Sequence, residues 1–238
     1  MNFKAISQFP VIAGWSRRFI GETLTQRKLA RRTGDLLRAL GHPVRVHSAT
    51  DRNLERNTVV ISAEYHVERD EAGKKNYLSI TLVVHPASTN RLKFDDMSSA
   101  LYSLDIVESL SHEYQHEYQY RTRDFELDGE FYSKSTEHDV KSQEEYLGIP
   151  GEIDAFSVNI AIRLWILYGD ETGKRLSDAS NLEYYDSPDF CAYRDTFGLD
   201  HSITRKLIRK ISKNIQLLDA WKLESVQAGR MSDNQFAF

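Results

Sequence analysis

Ser111-His112-Glu113-Tyr114-Gln115-His116 decides the reading of this chain. These residues contain the pattern H-E-x-x-H. On a helix, side chains four apart lie one above the other on the same face. His112 and His116 can therefore offer imidazole nitrogens to one metal ion, with Glu113 beside them to take a proton from a water the metal activates. Zn2+ suits this donor set, with two histidines, one further ligand and a position open to water. The helical context comes from Met97, Ala100, Leu101, Leu104, Ile106, Val107 and Leu110. Their three- and four-residue spacing predicts a helix with one buried stripe. The competing reading is a surface helix on which two histidines and several glutamates fall by accident.

A chain of 238 residues is long enough for one well-filled core. The formal net charge of -4 argues against general nucleic-acid affinity and against a role on a membrane surface. Cys191 stands alone, so an internal disulfide is excluded and any zinc site must use histidine and carboxylate. No apolar run approaches a membrane span. The patch Phe9 to Trp15, followed by Arg17 and Arg18, makes a poor signal peptide. The expected location is the cytoplasm of the host cell. Nothing in the sequence speaks to oligomeric state.

Around the motif, the pattern predicts a helix over 24–41 with Leu29, Leu36, Leu37 and Leu40 on one face and a basic remainder. Gly41 and Pro43 mark its end. Strands are expected at Val44 to His47, Val59 to Val67 and Leu78 to Val84, the last two joined by a hairpin through Asp70 to Asn76. An acidic, irregular loop or lid is expected between Arg121 and Glu145. A buried helix, apolar nearly all round, should follow Pro150 and reach Leu167. A last amphipathic helix is expected over about Ser202 to Trp221, with a loose polar tail from Ser225. The sum is an α+β fold of one domain, 1–238. Residues 1–95 supply a helix and a small twisted antiparallel or mixed sheet, 96–168 the metal-site helices and acidic loop, and 169–238 a helical C-terminal part.

Two histidines make a weak zinc site, so a third protein ligand is required. The longer pattern H-E-x-x-H-x-x-G-x-x-H fails, because Gln119 and Thr122 stand where Gly and His belong. Glu152 is the first choice, since it opens a buried helix, and small Ala155 on nearly the same face would allow close approach to the His112–His116 helix. Asp154 and His138 follow it. Glu152 is alternatively a helix-end carboxylate held by backbone N–H groups, and Asp154 an acceptor for a ligand histidine's second ring N–H.

The H-E-x-x-H helix after a strand, then Tyr146 and Glu152-Ile153-Asp154-Ala155-Phe156, resembles the gluzincin metallopeptidases. It is also similar to small uncharacterised HExxH proteins of bacteriophages. The resemblance covers about half the chain. It implies a zincin-like fold, His112, His116 and Glu152 as zinc ligands, and Glu113 as catalytic base.

The expected activity is zinc-dependent hydrolysis of a peptide bond in a peptide or protein substrate. Tyr146, Tyr193 and His201 are candidates to steady a developing oxyanion. The strand Tyr77 to Val84, if it forms an edge, could pair with an extended substrate. The alternative function is a non-catalytic zincin-like binding or assembly protein with the metal as a staple. Nucleic-acid association through the basic helices at 27–38 and 205–213 is disfavoured by the acidic balance.

Overall fold

The computed structural model describes residues 3–70, 73–122 and 140–229. The chain divides into two compact units, 3–113 and the residues from Tyr114 onward, and the boundary falls inside one uninterrupted helix, Asp96–Thr122. Both helices and strands are present, as the α+β expectation requires.

The first unit opens with two short helices that the sequence reading missed, α1 (Lys4–Ser7) and α2 (Phe9–Ser16), which bury Ala5, Ile6, Phe9 and Ile12. β1 (Thr23–Leu24) leads into α3 (Gln26–Ala39). Thr25 caps α3 by accepting from the Lys28 backbone N–H, and Gly41, at φ +80°, carries the chain out of it. The buried face of α3 is Gln26, Leu29, Ala30, Thr33, Gly34 and Leu37, while Leu36 and Leu40 lie half-buried at its border. Gln26 is tolerated there because its amide donates to the backbone oxygens of Ala49 and Leu82, at 2.6 and 2.7 Å.

β2 (Val44–Thr50), β3 (Val59–Asp70) and β4 (Gly73–Val84) form a mixed three-stranded sheet in the order β2-β4-β3. β3 and β4 are the expected hairpin, antiparallel, with Asp70 opposite Gly73. β2 runs parallel to β4. Leu78, Ile80, Leu82 and Val84 alternate onto a fully buried face, and α3 packs against β2 and β4. β4 is therefore the central strand, hydrogen-bonded on both sides. Pairing of a substrate with Tyr77 to Val84 is excluded, because those backbone groups are already used. β5 (Leu92–Lys93) pairs with β1.

Next comes α4 (Asp96–Thr122). Asp95 and Ser98 set its start reciprocally: the Asp95 carboxylate accepts from the Ser98 N–H, and the Ser98 hydroxyl oxygen accepts from the Asp95 N–H. The hydrogen bonds from Ser98, side chain first, hold the Asp95 carboxyl below its usual range. The helix departs from the expected single stripe. Met97 is exposed, whereas Tyr102 to Leu104, Ile106 to Glu108 and Leu110 to Tyr114 are buried. Three small polar residues explain how a helix with serines is enclosed. Ser16, Ser99 and Ser103 share hydroxyl contacts of 2.6 and 2.9 Å, and Ser103 bonds back to the Ser99 carbonyl.

A buried histidine in this unit makes a pH prediction. Gln8 donates its amide to the Leu40 carbonyl, so its Oε1 faces His42 Nε2 at 2.6 Å. Burial, then the charge of Lys4, lowers the His42 pKa from 6.5 to about 4. The unfolded chain thus takes its proton first as pH falls. The contribution is whole above pH 6.5 and is lost as pH falls through about 4. The His42 ring resonances of metal-free protein should titrate near 4; a midpoint at the ordinary value contradicts this account.

The second unit adds α5 (Val140–Gly148), α6 (Pro150–Tyr168), α7 (Thr172–Ser177), α8 (Pro188–Phe197) and α9 (Ser202–Gln227). The expected irregular loop lies mostly at 123–139, outside the described residues, and its last part is instead α5. Among the described side chains of this helix, 143–145 are exposed and only Leu147 is buried, so they show no apolar period to detect. α6 is buried nearly all round, as expected, and packs along α9. Trp165 Nε1 donates to Asp219 at 2.8 Å and Asn214 to the Ser157 hydroxyl at 2.9 Å. α9 runs past Trp221 to Gln227 and buries Ser225, which had been expected in a loose tail. No helix among the described residues is long and apolar enough to cross a membrane.

Candidate metal centre

His112 and His116 stand one turn apart on α4, buried, as the i, i+4 spacing requires. Glu152 stands in the first turn of α6, two positions after Pro150 at its start. Proline suits that position because its missing N–H has no partner within the helix. The same turn favours a negative charge, so Glu152 sits well there as a helix-end carboxylate too. One ligand atom each from His112, His116 and Glu152 lies within 4.8 Å of the others.

The separations fit a cation. His116 Nε2 and Glu152 Oε1 are 3.5 Å apart. A charge-assisted N–H···O bond between them would be about 2.7–2.9 Å. Two ligands about 2.0–2.2 Å from one tetrahedral ion stand roughly 3.4 Å apart. Both groups are at most 6 % exposed, so solvent does little to neutralise the carboxylate. A metal cation held there would do so. These three residues can hold a metal ion.

Gln119 completes the arrangement. Its Oε1 lies 3.1 Å from His116 Nδ1, and its Nε2 donates to the Gly151 carbonyl at 2.9 Å. Gln119 entered the sequence reading only as a mismatch to a longer motif. Its spacing of three from His116 was the available signal, because residues three apart share a helix face.

Glu113 is buried next to His112 on α4. Asp154, the second candidate ligand, is not in the group of three. Its Oδ1 meets the Lys210 ammonium of α9. Two positions along a helix turn a side chain through about 200°, which separates Asp154 from Glu152. His138 lies outside the described residues.

The oxyanion candidates differ in setting. Tyr146 is half-buried, with its ring edge-on to Phe156. His201 caps α9, accepting from the Ile203 N–H, and stacks on Phe197, so its ring has a structural task. Tyr193 is fully buried, and its hydroxyl has no hydrogen-bond partner among the described residues. Burial pushes its phenol well above the usual range, with the charges of Glu152 and Asp189 acting the same way. Tyr193 is therefore a neutral donor within the field of Glu152.

No protein-family model, no curated protein and no solved structure matches this chain.

Proposed function

We propose that this chain is a zinc-dependent metallopeptidase with a site of the gluzincin kind. The observation that carries the reading is the buried convergence of His112, His116 and Glu152, with Glu113 adjoining the first histidine. Two imidazoles and one carboxylate are a donor set of catalytic zinc sites. Zinc held there would acidify an attacking water and polarise a scissile carbonyl. Glu113 accepts the water's proton and delivers it to the leaving amine. Tyr146 and Tyr193 are the side chains offered for the developing oxyanion.

Metal analysis after zinc supplementation should give about one ion per chain, and a chelator should lower the unfolding temperature. At a free zinc concentration of about 1,000 Kd, the bound ion contributes roughly 4 kcal/mol. A chain that takes up no zinc overturns the reading. Zinc held without cleavage of any peptide would leave the non-catalytic binding or assembly role.

A further inference from the structure

We infer that Gln119 is the positioning residue of this centre: it sets which nitrogen of His116 faces the ion and ties α4 to the start of α6. The inference rests on the metal-centre reading and deepens it.

The amide orientation follows from chemistry. The Gly151 carbonyl can only accept, so the Gln119 NH2 must point to it. Oε1 is then left facing His116 Nδ1, and since Oε1 can only accept, Nδ1 must carry a proton. A neutral His116 with its proton on Nδ1 has its lone pair on Nε2, the atom that faces Glu152. Metal-binding histidines depend on such a partner to fix tautomer and ring angle. Here the partner is an amide three residues on along the same helix.

The second half of the contact is equally specific. Gly151 immediately precedes Glu152, so the Gln119 bond holds the backbone from which the third ligand projects. The approach is close. A Cβ at position 151 would come within 3.2 Å of Gln119 Oε1, tighter than ordinary contact. Glycine at 151 thus lets the amide reach His116 and the α6 backbone at once. One side chain fixes a ring on one helix and the first turn of another.

The test uses the full, metal-free chain at a pH where the ring is neutral. Long-range 1H–15N correlation spectra identify the protonated nitrogen of each histidine. His116 should carry its proton on Nδ1. In Gln119→Met, which keeps the length but removes both amide functions, that preference should disappear. Zinc affinity, measured by competition with a chromophoric chelator, should fall about 10- to 100-fold. Gln119→Glu keeps the acceptor and should restore the Nδ1-protonated form, a rescue that a purely structural role does not predict. Gly151→Ala should lower zinc affinity with Gln119 intact. Protonation of wild-type His116 on Nε2 overturns the inference without any variant, as does a Gln119→Met protein with unchanged tautomer and affinity. A chain with the Nδ1 proton in place that binds no zinc sinks the metallopeptidase reading while the clamp stands.

Discussion

Glu113→Gln is expected to leave zinc bound and to lower peptide hydrolysis by about 10²- to 10⁴-fold, the usual worth of a positioned general base. Glu113 is outside the group of three ligand residues, so exchanging its carboxylate for an amide leaves their donor atoms in place. The amide matches the carboxylate in size, which avoids a cavity at a buried position. What it lacks is a site that can take a proton. Loss should therefore appear in kcat, with KM nearly constant, because proton transfer is felt in the transition state. Zinc content and turnover measured on the same preparation decide the matter. Full turnover in Glu113→Gln would move the base elsewhere, and loss of zinc along with turnover would make Glu113 part of the ion's support.

The site was legible where it depended on local geometry. The spacing of His112 and His116 needs only a helix, and the apolar residues before them supply one. Glu152 was legible because a carboxylate opening an apolar helix has few ways to be enclosed. Its neighbour Asp154 was harder to dismiss, because the decision depends on Lys210 of a distant helix. Gln119 was only half legible, through its spacing from His116, for a related reason. Its importance lies in the carbonyl of Gly151, and a backbone atom leaves no mark in a residue pattern. Comparison with a motif made Gln119 a defect, whereas its bonds make it a partner of His116.

The fold divides in the same way. Alternation in Leu78 to Val84 revealed a strand with one buried face, since side chains alternate along any strand. It did not reveal that this strand is central. Strand order arises from a parallel pairing of β2 with β4 across a chain excursion, and period-two patterns carry no information on neighbours. α4 was read as amphipathic because serines count as polar. The hydroxyls of Ser99 and Ser103 meet that of Ser16, and Ser103 also bonds the helix backbone, so these two pack as small residues.

Glu152→Gln is expected to weaken zinc binding by about 10²- to 10³-fold while leaving the metal-free fold no less stable. Structural zinc contributes roughly 10–16 kcal/mol over four ligands, so one ligand accounts for about 2.5–4 kcal/mol. Without zinc the same carboxylate is costly, because it is 3 % exposed and burying a charge is unfavourable. The start of α6 offsets part of that, at about 0.3–2 kcal/mol. A neutral amide removes the charge and keeps the volume. Unfolding temperatures should therefore cross: the variant should match or exceed wild type in chelator and fall below it in excess zinc. General damage to the fold cannot produce such a crossing, since it lowers both. Asp154→Ala is the control. It removes a partly exposed pair with Lys210, worth at most about 1 kcal/mol, and should keep its zinc. Zinc lost from Asp154→Ala but retained by Glu152→Gln would reverse the assignment of the third ligand.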